Sequence, residues 1–195
     1  MKSNTTSKEE IFPLISYEQA SPEVREIYDD TKRTFQLPFV LNWFQCQGSN
    51  VDLLRGNWAK LKSTLVMGEV PNVLKQLIIY HVSSLRNCDY CSQAHGIFAN
   101  TMRDQLSDDP SFVPTEHLES EKLPKSYRTA ITVVSKAALY PQQVTAEDIE
   151  QLHAVGFRPN DIRELLSVAD LVNMLNTIAD VSGIKIDESL VAIKM

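Results

Sequence analysis

The strongest constraint on this chain is an internal repetition. "GEVPNVLKQLIIYHVSSLRNCDYCSQAHGI", from Gly68, lies over "GFRPNDIRELLSVADLVNMLNTIADVSGI", from Gly156, at a constant offset of 88 residues. The overlay pairs Gly68 with Gly156, Pro71-Asn72 with Pro159-Asn160, Lys75 with Arg163 and Leu77 with Leu165. A glycine stops one helix and a proline opens the next. Beyond that proline, each copy has helical rather than alternating spacing of its apolar residues. A repeated turn-plus-helix unit points to two related helical halves. At the same offset Gln76 falls on Glu164, Cys88 on Asn176, Cys91 on Ala179 and His95 on Gly183. The thiols therefore belong to the first copy alone.

Punctuation along the rest of the chain is also helical. Ser21-Pro22 pairs an N-cap residue with proline at the first helical position, ahead of Val24, Ile27, Tyr28 and Phe35. Ser49 or Asn50 caps the next run, which stops at Gly68. Thr145 with Asp148 resembles a capping box, and the last long run extends from Pro159 to Gly183. Residues 107–123 are rich in proline and acid and read as a loop with at most one short helical turn. "LIIY" and "TAITVV" tolerate a strand but do not alternate. The expected fold is all-α. Residues 1–20 would form an N-terminal extension, and 21–195 a single helical domain of two repeats, about 36–106 and 123–185.

A chain of 195 residues can bury one real core. Its net charge of −6, with no Lys/Arg cluster, argues against a nucleic-acid partner. No run of ~18 apolar residues suggests a membrane span, and "MKSNTTSKEEIFPL" lacks the apolar region of a secretory signal. The expected location is cytoplasmic, where a close cysteine pair is more often catalytic, redox-active or metal-binding than a structural disulfide.

That pair sits in "RNCDYCSQAHG". At ~100° per residue, Cys88, Cys91 and His95 share one helix face. Asn87 is a good N-cap, which would put Cys88 in the first turn, where free N–H groups and the helix dipole favour a thiolate. A histidine one turn beyond Cys91 can take a thiol proton. The spacing thus supplies an attacking thiol, a resolving thiol and a proton handler, which suffices to reduce a peroxide or exchange disulfides. Cys91, one turn from His95, is assigned the attack and Cys88 the resolution.

Other readings compete. A c-type haem site needs His directly after the second Cys, and Ser92 intervenes. A thioredoxin fold needs flanking strands. A zinc site needs a fourth ligand, for which Cys46 and His81 are candidates without recognisable spacing. A structural reading, two buried cysteines and an incidental histidine, stays open. Cys46 itself reads as a packed small side chain. His117 and His153 read as surface residues, and Trp43, Phe44 and Trp58 as core or interface. Asn173, Asn176 and Asp180 make a polar stripe that fits a site lining or a solvated face equally well.

The stretch Pro71–His95 resembles the core of the alkylhydroperoxidase D and carboxymuconolactone decarboxylase family, whose signature is a Glu, eleven residues, then C-x-x-C-x-x-x-H. "CDYCSQAH" matches the second part. "SPEVREIYDDTKRTFQLPFVLNWF" and "VTAEDIEQLHAVGF", with "NMLNTIAD" beyond, are similar to the longer, peroxidase-related branch with duplicated helical halves. The resemblance implies an all-helical, alkylhydroperoxidase D-like fold in a homo-oligomer, a trimer or hexamer. It implies Cys88, Cys91 and His95 as catalytic residues reducing organic hydroperoxides. It also implies re-reduction by a lipoylated or thioredoxin-like dithiol partner, with neither metal nor organic cofactor. Decarboxylase members act on a lactone and lack the cysteine pair.

The chain departs from that signature once. Where the family has a relay Glu, twelve residues before Cys88, it has Gln76. An amide orients a hydrogen bond but does not accept a proton near neutral pH. On an unbroken helix Gln76 would point ~120° away from Cys88, so a role for it requires a break between the helices. His81 shares the Cys88 face but lies ~10 Å along the axis; Glu69 is the remaining relay candidate. Gln76 keeps open a redox-responsive, non-catalytic oligomer or a degenerate member with weakened peroxidase activity, and a lyase of the decarboxylase type is a separate alternative.

Overall fold

The computed structural model describes residues 11–193. They form an all-α fold with these helices: α1 (Pro22–Phe35), α2 (Asn42–Gln45), α3 (Val51–Leu61), α4 (Asn72–Leu85), α5 (Asp89–Thr101), α6 (Lys125–Leu139), α7 (Ala146–Ala154), α8 (Pro159–Ser182) and α9 (Glu188–Val191). The starts are set by local chemistry. The Ser21 hydroxyl accepts from Val24 N–H at 3.3 Å and Asn50 Oδ1 from Leu53 N–H at 3.2 Å. Thr145 and Asp148 close a full capping box. Segment 107–123 is a loop with one 3-10 turn, Pro114–Glu116.

The two glycine turns share the same positive φ. Gly68 has φ 101° and Gly156 φ 102°, a region that side chains resist. Their surroundings differ. The Glu164 carboxylate occupies the space beside Gly68, accepting from Glu69 N–H at 3.0 Å and Val70 N–H at 3.2 Å and pairing with Lys75. Nothing lies within 4 Å of where a side chain on Gly156 would begin. Lys75 is 1% exposed and also donates to the Met67 carbonyl at 2.6 Å, so its buried charge is both paired and hydrogen-bonded.

α4 is the central element and packs against α5, α6 and α8. Val73, Leu74, Leu77, Ile78, Ile79 and Val82 are all fully buried, covering most of its circumference. This is why "LIIY" looks strand-tolerant: a helix buried on several sides reads as an apolar run. α8 carries a one-sided stripe, Ile162, Leu165, Val168, Val172, Leu175 and Ala179, at helical spacing. Between α3 and Gly68 the chain makes a π turn, Lys62–Val66, closed by Met67 N–H to the Lys62 carbonyl at 3.1 Å. Among the described residues no helix is long and apolar enough to cross a membrane.

Candidate functional site

A break after α4 positions both cysteines. Asn87 takes a left-handed conformation, φ 56°. Its N–H donates to the Ser84 carbonyl at 3.2 Å, and the Cys88 N–H donates to the Ser83 carbonyl at 2.9 Å. This is the paired C-terminal closure that asparagine or glycine supports. Cys88 then serves as the N-cap of α5, its carbonyl accepting from Ser92 N–H at 3.0 Å. The sequence pattern alone favours a cap at Asn87 with Cys88 inside the first turn. The cap lies one residue later, because Asn87 is consumed in closing α4.

The break folds α5 back against α4 and brings Gln76 to His95. His95 Nδ1 lies 2.6 Å from Gln76 Oε1, and Gln76 Nε2 donates to Asn72 Oδ1 at 3.2 Å. With its nitrogen engaged by Asn72, the Gln76 amide presents its oxygen, so His95 Nδ1–H is the donor. Both side chains are buried.

Cys91 and His95 line one apolar cavity with Phe35, Trp43, Leu65 and Phe98 among its walls. The cavity measures about 30 Å³, room for about two waters. Every lining residue is buried except Phe35 and Phe98, which stack with ring centroids 6.0 Å apart. Those two rings form the mouth. Phe35 also packs on Phe44 and Trp58, at 6.2 and 5.7 Å. Trp43, Phe44 and Trp58 are buried in the core, and the first two also line this cavity.

The electrostatics keep the resting site neutral. A hydrogen bond with Cys88, then burial and the Asp180 charge, push the Cys91 thiol far above its ordinary value. Burial pushes the His95 imidazole down to about 3. A protonated thiol thus sits one turn from an unprotonated base on the same helix.

Neither His81 nor Glu69 lines the cavity. His81 is half-buried, its imidazole lowered by burial against the opposing pull of Glu119. Glu69 is exposed in a separate surface groove with Arg158, Pro159 and Asn160. The Cys46 thiol donates to the Trp43 carbonyl at 3.3 Å and is pushed up to about 11 by burial. Among the described residues no group of three or more His, Cys, Asp and Glu side chains could hold a metal ion.

The polar stripe on α8 faces the corner of the hairpin. Arg86 donates to Asn173 Oδ1, and the Ser83 hydroxyl donates to the fully buried Asn176 Oδ1 at 2.9 Å. Asp180 borders a groove with Asn87, Asp89 and Tyr90. Sequence reasoning missed Tyr90, the residue between the cysteines. Its hydroxyl donates to Asp187 Oδ2 at 2.8 Å and accepts from Trp43 N–H at 3.3 Å, while Asn42 N–H donates to Asp187 Oδ1 at 2.8 Å. Burial raises both Tyr90 and Asp187 above their ordinary values. A large amphipathic ring inside the motif was the available signal; its partner, 97 residues away, had none.

No protein-family model matches the chain. Over 78 residues it is 32% identical to the alkyl hydroperoxide reductase Rv2159c of Mycobacterium tuberculosis, covering 40% of this chain and 22% of that relative's length. A peroxidase-related protein of Ralstonia eutropha JMP134 with an alkylhydroperoxidase AhpD core superposes with a TM-score of 0.79 at 19% identity, over 92% of this chain and 93% of the other. A peroxidase-related protein of Silicibacter sp. TM1040 gives 0.73 at 24%, over 89% and 91%. The debrominase Bmp8, as a variant in complex with 2,3,4-tribromopyrrole, gives 0.70 at 17%, over 88% and 89%. The chain thus shares its fold with alkylhydroperoxidase D-like, peroxidase-related proteins over nearly its whole length, and over 78 residues it is similar in sequence to an alkyl hydroperoxide reductase.

Proposed function

We propose that the protein is a thiol-dependent peroxidase that reduces organic hydroperoxides through Cys88 and Cys91. His95 takes the Cys91 proton only as the sulfur attacks the terminal peroxide oxygen, because the resting thiol keeps its proton and the buried imidazole stays neutral. The O–O bond breaks, and the alkoxide leaves as an alcohol once it regains a proton. Cys91 becomes a sulfenic acid, which Cys88 converts to a disulfide with release of water. An external dithiol, carried by a lipoylated or thioredoxin-like protein, exchanges with that disulfide and is itself oxidised. The working assembly is a homo-oligomer of this chain.

The observation that carries this reading is the shared lining of one apolar cavity by Cys91 and His95, with the Cys88 thiol close enough to dominate the Cys91 electrostatics. Cys88 does not line that cavity, which favours Cys91 as the attacking sulfur. The apolar walls favour an alkyl or aryl hydroperoxide over hydrogen peroxide, which requires Phe35 and Phe98 to swing aside, because the resting cavity holds only about two waters. The test is stoichiometric. Reduced protein receives one equivalent of cumene hydroperoxide, and thiols and disulfide are followed by mass spectrometry. The expected result is rapid loss of two thiols with a Cys88–Cys91 disulfide, abolished by Cys91→Ser. In Cys88→Ser a sulfenic acid should persist on Cys91. Thiols lost no faster than those of a small model thiol would overturn the proposal.

A further inference from the structure

Asn72, Gln76 and His95 form an ordered chain that the thiol chemistry alone does not require. Asn72 stands one helical turn before Gln76 on α4 and holds its nitrogen at 3.2 Å. Gln76, 2% exposed, then has only its carbonyl oxygen to offer His95 at 2.6 Å. An imidazole that donates from Nδ1 keeps its lone pair on Nε2. We infer that Asn72 and Gln76 are positioning residues that lock His95 in the Nδ1–H tautomer, and that the proton taken from Cys91 stays on His95 until the departing alkoxide reclaims it.

The inference rests on the proposed peroxidase reading and adds the proton's route. The Cys91 S–H proton moves to His95 Nε2, and the sulfur's electron pair forms the S–O bond to the terminal peroxide oxygen. The O–O pair leaves on the alkoxide, which takes the proton from Nε2. Thiol and hydroperoxide become sulfenic acid and alcohol, with nothing drawn from solvent. A carboxylate at position 76 could accept the Nδ1 proton of the transient imidazolium and pass it on; an amide has no such capacity. An imidazolium enclosed by apolar walls is also costly, which favours prompt return of the proton.

Long-range proton–nitrogen NMR of the His95 ring in reduced, nitrogen-15-labelled protein tests the lock without any peroxide. The expected resting form is Nδ1–H. Asn72→Ala frees the Gln76 amide to turn and should give a mixture of tautomers. Gln76→Ala should give a mixture too, and Gln76→Glu should restore Nδ1–H. Asn72 is half-buried at the start of α4, so Asn72→Ala carries the test if Gln76→Ala does not fold. Single-turnover sulfenate formation should fall about 3–10-fold in Asn72→Ala, in proportion to the lost Nδ1–H fraction and well below the roughly 10²–10⁴-fold that loss of a whole general base would cost. An Nε2–H tautomer in the unsubstituted protein would overturn the lock. So would an unchanged tautomer in both alanine variants, or a rate loss with no tautomer change. Absent thiol chemistry with a normal Nδ1–H signal would instead overturn the peroxidase reading.

Discussion

The two halves of the molecule start alike and end differently. Both leave a left-handed glycine, Gly68 or Gly156, and enter a helix at Pro71 or Pro159. In the first half the helix stops at Leu85, turns at Asn87 and restarts at Asp89. In the second it runs unbroken through Ser182. The corresponding polar positions differ accordingly. Gln76 faces His95 across the break, whereas Glu164 ties down Lys75 and the Gly68 turn. The candidate site depends on the interruption of a helix, which lets residues 76 and 95 face each other. The uninterrupted copy uses the same position for stability.

Glu164→Ala should give the largest effect. It strands a lysine that is 1% exposed and two backbone N–H groups, a loss of about 3–5 kcal/mol in urea unfolding. Gln76→Ala should cost less, about 1–3 kcal/mol for a lost hydrogen bond and a small void. The reverse order would break the contrast between a structural and a chemical position.

Acid should come next. Folded His95 stays neutral to about pH 3 because burial disfavours its charge, while the unfolded residue protonates near 6.5. The unfolded state therefore binds the extra proton first, and stability falls as pH drops below 6.5. By pH 4 the loss should be about 3 kcal/mol. His95→Phe should remove that part of the slope; an unchanged slope would place the acid sensitivity elsewhere. The second half has Gly183 at this position and contributes no counterpart.

The glycines give a smaller and sharper test. Gly156→Ala bears only the left-handed backbone, about 1–2 kcal/mol. Gly68→Ala bears the same strain and also drives its Cβ to 2.3 Å from the Glu164 carboxylate, so it should cost more. In a Glu164→Ala background the excess should vanish, a coupling that a double-mutant cycle reads directly. Smallest of all, Asn87→Gly should change stability by under ~1 kcal/mol, since glycine adopts the left-handed turn freely; a larger loss would mean that the Asn87 side chain itself holds the break.

The helix limits were legible because they are set within four residues: Ser21, Asn50, Thr145 and Gly183 act on their immediate neighbours. The helical repetition and the shared face of Cys91 and His95 were legible for the same reason. Asn87 reads as a cap because asparagine suits either side of a helix boundary, and only the backbone shows that it closes α4. The π turn after α3 left no local mark. Gln76 was half-legible: its spacing demands a break, but His81 and Glu69 compete with it until the fold puts them elsewhere. Tyr90, Asp187 and the phenylalanine mouth depend on contacts between distant segments, which periodicity does not encode.

The Tyr90–Asp187 hydrogen bond also bears on how the protein is made. Synthesis delivers the cysteine hairpin well before Asp187, because 97 residues separate the two partners. The hairpin can form from its own local contacts, but the bond that ties Tyr90 to Asp187 waits for a much later segment. Until that segment emerges, the nascent chain lacks one of the restraints on the corner that carries both thiols. Oxidant present during translation would therefore meet these sulfurs in a looser setting than the finished molecule offers.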